Sequence, residues 1–349
     1  MWPENDVVTE DLHRTCAAPW IPWRELHGAT VLVTGATGLI GAALVKTLLW
    51  YGATHDRDLR VLGLVRDPAK AQHVFAGPLA VGAPLSFVRG DVETLGEVSG
   101  PVDFVVHGAS VTSSQDFVAR PVETIRTALR GTERILELAR DKQVRSIAYL
   151  SSMEVYGAPD GSRRITESTF DSLDPMAVRS SYPESKRMAE ALCAAYASQY
   201  GVPAKVLRLT QTFGPGVAPD DGRVFAQLAR SAVEGRDVVL HTTGETERSY
   251  LYTADAVTAI LAVLLAGADG QAYNAANEET YCSIREMADL VARTVGPAPV
   301  AVRVEAQEVT GLGYAPTLKM DLDTSKLQAL GWRPTAGLED MYRRMTAAR

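Results

Sequence analysis

A short β-branched run at residues 30–33 leads directly into Gly35-Ala36-Thr37-Gly38-Leu39-Ile40-Gly41 and then into an apolar stretch over 39–50. No other feature constrains this chain as strongly. A strand that feeds a glycine-rich turn opening a helix directs backbone N–H groups and the positive end of the helix dipole at an anion. Each glycine in the G-x-x-G-x-x-G spacing has a task. Gly35 permits a tight turn, Gly38 lets a pyrophosphate approach the backbone, and Gly41 lets the helix pack closely on the sheet. Thr37, Leu39 and Ile40 complete the loop, which reads as a dinucleotide cradle.

The rest of the chain continues in kind. Strands are predicted over 59–65, 86–88, 102–107, 146–151 and 205–209, with helices over 122–140 and 184–200. Strands separated by helices imply an α/β fold, a doubly wound parallel sheet of the Rossmann type. The alternation breaks after Arg208, where Pro215, Gly216 and Pro219 mark a loop. A helix over 222–234, a strand over 238–241, a helix and strand returning to the sheet over 252–276, and helices near 283–295 and 338–348 complete the chain. The expected division is an N-terminal extension (1–27), a dinucleotide-binding domain (28–208 plus about 252–280), and a smaller discontinuous C-terminal substrate-binding lobe (209–251 plus about 281–349) that caps the carboxyl ends of the strands. The extension carries Trp2, Trp20 and Trp23 and reads as a strap on the main body. A chain of 349 residues fits two packed units.

Composition narrows the partners. The formal net charge is -7, with acidic and basic residues mixed along the chain. Such a surface has no general attraction for nucleic acid or anionic lipid, so anionic small molecules must be held by local features. Cys16, Cys193 and Cys282 are scattered and odd in number. They suggest neither a disulfide framework nor a metal site, and a reducing cytoplasm is the expected setting. Residues 1–15 contain Glu4, Asp6, Glu10 and Asp11 and no apolar core of a leader, and the longest apolar run, 257–266, is too short to cross a bilayer.

The end of the second strand bears on the choice of dinucleotide. An acidic residue there holds the ribose 2′-hydroxyl of NAD. Val65 stands at that position, followed by Arg66, which can pair with the 2′-phosphate of NADP and favours it. Asp67 lies one or two places late, which leaves NAD open. Asp91 and Val92, after the third strand, sit where an adenine edge can be met, although Asp91 also suits an ordinary turn.

Chemistry is suggested by Tyr182-Pro183-Glu184-Ser185-Lys186, which puts a phenol and an amine one turn apart at the start of a helix. A phenol ionises near pH 10, and a neighbouring ammonium or an oxidised nicotinamide favours the phenolate. Tyr182 can then take a hydroxyl proton as hydride leaves the carbon, while Lys186 supports it and the nicotinamide ribose. Ser152, at the carboxyl end of the fifth strand, points toward the same crevice and can bond the same substrate oxygen.

Taken together, Thr34–Gly41, 102–109, 151–157, 182–186 and 208–215 resemble the extended short-chain dehydrogenase/reductase family, the nucleotide-sugar epimerases, dehydratases and decarboxylases. The resemblance covers about residues 29–335 and is nearest in look to UDP-glucuronate decarboxylase-type members. It implies NAD or NADP as cofactor, a nucleoside-diphosphate sugar as substrate, oxidation at C4 of the sugar, and further reaction of the 4-keto intermediate. By position it implies Tyr182 as base, Lys186 as its partner and Ser152 on the C4 oxygen, with Ala109 beside the cofactor. Family dehydratases commonly show Thr-Asp-Glu after the fifth strand, whereas uronate decarboxylases tend to show Thr-Ser-Glu. This chain has Ser152-Met153-Glu154, which lacks the usual dehydratase acid but keeps a glutamate able to act at C5. Met153 is expected to wall the pocket beside C6. Arg248 matches the arginine that meets the diphosphate, Arg223 is a second such candidate, and Gln211 stands where an asparagine often lies near the phosphates. Helices over 122–140 and 184–200 carry apolar positions beyond one core stripe, and the family pairs the matching helices into a homodimer.

Two other readings use the same residues. A reductase of a non-sugar carbonyl could employ Tyr182 and Lys186, but a small ketone needs no diphosphate clamp of the kind Arg223 and Arg248 suggest. A non-catalytic dinucleotide-binding regulator would have no need for Ser152, Tyr182 and Lys186 together.

Overall fold

The computed structural model describes residues 2, 5–55, 58–305 and 317–348. Glu4, and residues 306–316 within the expected second lobe, lie outside the described residues. The chain forms strands β1 (Thr30–Thr34), β2 (Arg60–Val65), β3 (Leu85–Arg89), β4 (Phe104–His107), β5 (Ser146–Ser152), β6 (Ala204–Leu209) and β7 (Gln211–Phe213). They are followed by β8 (Val238–Leu240), β9 (Glu247–Tyr252), β10 (Ala272–Ala275), β11 (Asn277–Ser283), β12 (Val302–Val304) and β13 (Lys319–Met320). Seven strands make one sheet in the order β10-β6-β5-β4-β1-β2-β3, every neighbouring pair parallel. The order reverses between β1 and β4, and a crevice opens there beyond the carboxyl ends of the strands.

Burial on both faces explains the central strands. All five residues of β1 and all four of β4 are buried, as expected of parallel strands covered by helices on each side. Val31 and Val33 pack on the side of helices Leu39–Thr54 and Thr253–Ala266, whereas Leu32 joins the cluster that includes Ile135, Leu136 and Cys193 from helices Pro121–Asp141 and Ser181–Tyr200. Helix Thr253–Ala266 is apolar almost all round and buried from Thr253 to Leu264, so it needs a cover on its outer side as well.

Part of that cover comes from the N-terminal extension. Its sequence suggests a strap packed on the main body, and within it residues Asp6–Cys16 are helical, capped by the Asn5 side chain. Leu12 and Cys16 join the same core, Trp2 meets Trp50 edge-on at 5.3 Å, and Trp23 stacks on Tyr51 at 4.2 Å. The signal is weak because the segment is short and mostly polar; its few apolar side chains gain burial only against helices far away in sequence.

The second group of strands hangs from the end of the first. Only Thr210 separates β6 from β7, and β7, β11 and β13 each pair with β9. A separate core of Phe213, Phe225, Tyr250, Tyr252, Met287 and Tyr342 fills the space between these strands and their helices. Asp11 ties the pieces together, accepting from the Tyr252 phenol and pairing with Arg344 at 2.8 Å. Among the described residues no helix is long and apolar enough to cross a membrane.

Candidate active site

The glycine loop sits at the switch point. Gly35 has φ +69°, and a Cβ there would lie 2.8 Å from the Gly108 carbonyl, so only glycine lets the β1 and β4 loops meet. A Cβ on Gly41 would fall 2.2 Å from the Gly35 oxygen. Gly38 differs, being exposed, with only the Gly35 oxygen within 4 Å of a Cβ, at 3.3 Å. Within the protein, then, Gly35 and Gly41 are glycines for close packing, and Gly38 presents open backbone. Gly38 is also the N-cap of helix Leu39–Thr54, which has no side-chain cap and no acid in its first turn. The start of this helix leaves backbone donors and dipole available to a pyrophosphate, so the loop fits a dinucleotide.

Thr34 braces this crevice. Its hydroxyl accepts from the amides of Gly108 (3.2 Å) and Ala109 (3.0 Å) and bonds His107 Nδ1 at 2.7 Å, while His107 Nε2 reaches Thr132 at 3.2 Å. Burial, with Lys186 adding to it, lowers the His107 pKa to about 3, so the ring is neutral and acts as a spacer. The backbone of Gly108 and Ala109 thus abuts the glycine loop.

The flanking residues divide their roles. Arg66 has a side chain 81% exposed, 3.8 Å from Asp91 Oδ2. Asp67 caps helix Pro68–Val74 by accepting from the amides of Ala69 and Lys70, so its carboxylate is engaged in local structure. Asp91 likewise accepts from the Glu93 amide, and Val92 is buried against Gly131 of helix Pro121–Asp141. The side chain of Val92 thus belongs to the core.

At the carboxyl end of β5 the expected trio meets. Ser152 lies near enough to the Tyr182 phenol to favour its ionisation, and the Ser152 oxygen accepts from the Glu154 amide at 3.2 Å. Lys186 is buried, donates to the Leu150 carbonyl at 2.8 Å, and has its nitrogen 5.8 Å from the Tyr182 ring centroid. Burial lowers the Lys186 pKa to about 8. One expectation needs correction. The sequence has Lys186 drawing Tyr182 toward phenolate, but burial, with the Glu154 carboxylate adding to it, pushes the Tyr182 phenol well above its ordinary range. The Lys186 amine, for its part, donates to the Leu150 carbonyl of β5.

Glu154 follows Ser152 on a single helical turn, Met153–Tyr156, and forms an ion pair with Arg179 at 2.8 Å. Met153 is buried, packed with Val155, Ile165 and Leu318, and its sulfur accepts from the Thr210 hydroxyl at 3.2 Å. In the second group of strands Gln211 opens β7 beside Tyr250 of β9. Arg248 of β9 has a buried Nε with no partner, and no carboxylate pairs with it among the described residues. Arg223 is different: Asp221 takes its Nε at 3.0 and 3.1 Å and its Nη2 at 2.5 Å. Arg223 is thus already paired within the protein, unlike Arg248. A Cβ on Gly216, which has φ +92°, would lie 3.3 Å from the Leu39 side chain, so the loop after β7 runs beside the start of the phosphate helix.

Two residues of the site escape the sequence reading. Phe117 stacks on Tyr182, ring centroids 4.2 Å apart and planes at 7°, and Arg179 lies 5.0 Å over the other ring, that of Phe117. Arg179 stands three positions before Tyr182, which is a positional hint; Phe117 comes from helix Ser114–Ala119, and nothing local marks it.

Comparisons with known proteins agree with this geometry. The model of the NAD dependent epimerase/dehydratase family matches residues 31–276. UDP-glucuronic acid decarboxylase 1 of Xenopus tropicalis is 32% identical over 240 residues, 68% of this chain; the chain spans only 55% of that relative's length. UDP-glucuronic acid decarboxylase 6 of Arabidopsis thaliana is 30% identical over 317 residues, 89% of this chain and 85% of that protein. DesIV, a dTDP-glucose 4,6-dehydratase of Streptomyces venezuelae solved with NAD bound, superposes with a TM-score of 0.75 at 28% identity, covering 91% of this chain and 96% of DesIV. The UDP-glucose 4-epimerase of Thermotoga maritima shares the fold at 20% identity, TM-score 0.74, over 91% of this chain and 98% of its own. With its glycine loop, its seven-stranded parallel sheet and its Ser-Tyr-Lys constellation, the chain belongs to the NAD-dependent epimerase/dehydratase family, of the extended short-chain dehydrogenase/reductase type.

Proposed function

We propose that this protein oxidises the sugar of a nucleoside-diphosphate sugar at C4 and that the 4-keto intermediate then loses carbon dioxide from a C6 carboxylate, as in a UDP-glucuronate decarboxylase. The observation that carries the redox half is the meeting of Ser152 and Tyr182 at the carboxyl end of β5, next to buried Lys186, which donates to the Leu150 carbonyl of the same strand. A bound oxidised nicotinamide would supply the hydride acceptor for C4 and, once reduced, the hydride that returns to C4 after carbon dioxide is lost. Ser152 and Tyr182 hold the C4 oxygen, and Tyr182 takes its proton; the cofactor's positive charge opposes the effect of burial on the phenol. Arg248 supplies the free guanidinium for the diphosphate. Unpartnered cation and diphosphate together favour this reading over a reductase of a small ketone.

The second half rests on the two residues after Ser152. Met153 offers no proton and its sulfur is bonded to Thr210, while the Glu154 carboxylate is held by Arg179. Water loss from C6 needs an acid for the departing hydroxyl. Decarboxylation does not: the C5–C6 bond breaks, its electron pair passes to the C4 carbonyl as an enolate, and C5 is then protonated. The decarboxylases among the relatives support the same choice. Mass spectrometry of products from UDP-glucuronate, UDP-glucose and dTDP-glucose tests it. Loss of carbon dioxide from the uronate is expected; loss of water from a glucose derivative, or isomers of unchanged mass, would overturn it.

NAD is the cofactor we infer, with Arg66 as the residue through which NADP is admitted. Its exposed guanidinium can meet a 2′-phosphate, and R66A should weaken NADP far more than NAD. Equal effects would make Arg66 a surface charge. We also infer a homodimer through helices Pro121–Asp141 and Ser181–Tyr200, on which Val122, Ile125, Met188 and Tyr200 are exposed. A monomer mass by light scattering at micromolar concentration would refute that.

A further inference from the structure

We propose that Arg179 is a positioning residue that holds the Glu154 carboxylate and cancels its charge at the Tyr182 hydroxyl, so that the phenol can give up its proton while a carboxylate stays within reach of the sugar. The site presents a dilemma without it. A glutamate useful at C5 must lie near the base that works at C4, and an uncompensated anion there opposes phenolate formation. The fold resolves this with one side chain from the turn Val178–Ser180, directly ahead of the helix that carries Tyr182.

The geometry is tightly built. Arg179 and Glu154 meet at 2.8 Å with side chains only 19% and 25% exposed. The guanidinium lies 5.0 Å over the Phe117 ring, a cation–π placement, and the Phe117 ring is stacked on Tyr182. Arg179, Phe117 and Tyr182 therefore form one stack, and the guanidinium cannot leave Glu154 without unstacking from an aromatic face. The charged and titratable groups around the phenol are few. Glu154 opposes ionisation, Arg179 favours it, Lys186 lies beside the ring, and Tyr149 packs behind. With Glu154 only 25% exposed, solvent screens its charge in part, and the counterion within the protein supplies the rest.

The pairing also bears on the second half-reaction, and in that respect rests on the function proposed above. A carboxylate bonded to a guanidinium is a weaker base than a free one, which suits a site where C5 is to be protonated after carbon dioxide leaves and is not to be deprotonated beforehand.

The test separates charge cancellation from simple support of the fold. A fluorinated tyrosine placed at position 182, whose phenol is more acidic, allows its ionisation to be followed by fluorine NMR without substrate or turnover. R179Q should raise the titration midpoint by about one pH unit or more, as expected for loss of a nearby opposite charge. E154Q should lower it, and the double variant R179Q/E154Q should return close to the starting value. In cofactor-loaded enzyme, the pH profile of nicotinamide reduction should move in the same order. Failure of R179Q to shift the midpoint, or failure of E154Q to restore it in the double variant, would overturn the proposal. Should the titrations behave as expected while no nucleotide sugar is turned over, the electrostatic assignment stands and the proposed reaction falls.

Discussion

Replacing Arg248 by methionine should separate ligand binding from folding. Its Nε is buried without an acceptor, and no described carboxylate neutralises it. A hydrogen bond to a charged group contributes about 1.5–3 kcal/mol. At 1.4 kcal/mol per tenfold, losing one such bond to a diphosphate oxygen should weaken binding about 10- to 150-fold. The protein without ligand should respond in the opposite sense, because a partly buried cation whose Nε has no acceptor is costly and methionine fills a similar volume without it. Calorimetric titration with UDP should therefore show the loss of affinity, with NAD binding retained and a Tm equal to or above that of the parent. A Kd for UDP within twofold of the parent would refute the assignment. So would a fall in Tm accompanied by loss of NAD binding, which would make Arg248 a structural residue.

The same geometry sets further expected outcomes. Y182F keeps the stack on Phe117 but removes the proton acceptor, and steady-state rates should drop ~100- to 10,000-fold; near-normal turnover would remove Tyr182 from the mechanism. G38A should leave the Tm almost unchanged yet weaken NAD binding, because its Cβ meets only one oxygen at 3.3 Å and fills the ligand's approach, whereas G41A, with its Cβ 2.2 Å from the Gly35 oxygen, should lower both. His107 has a folded pKa of about 3 against an ordinary 6.5, so the unfolded chain binds a proton first as pH falls. Stability is thus present above pH 6.5 and lost below it, at about 1.4 kcal/mol per pH unit down to about pH 3. Denaturant unfolding of parent and H107N across that window checks this, the difference between the two curves being the informative quantity; parallel curves would show that His107 does not titrate with unfolding.

The sheet, the glycine loop and the meeting of Ser152, Tyr182 and Lys186 at one place are legible in the chain. These are local statements: Gly35, Gly38 and Gly41 have backbone tasks that their spacing reveals, and Tyr182 and Lys186 share a helix face because of the helix period. Strand β1 can be read from its β-branched run and the helix after it from its apolar residues, since central parallel strands are buried on both sides. Whatever depends on partners remote in sequence emerges only on packing. Arg223 and Arg248 look equivalent in the chain, yet Asp221 neutralises one and nothing described neutralises the other. Asp67 looks like a displaced ribose acid and is a helix cap. The helix Asp6–Cys16 gains its burial only against Trp50 and the helix Thr253–Ala266, which lie far along the chain. The electrostatics of Tyr182 are likewise hidden from the sequence, because burial, Glu154, Arg179 and Phe117 come together only when β5, the turn before the helix and a separate short helix pack on one another. Backbone requirements leave their mark on neighbouring residues, whereas charge pairing and desolvation depend on three-dimensional neighbours, and that is where sequence reasoning ends for this protein.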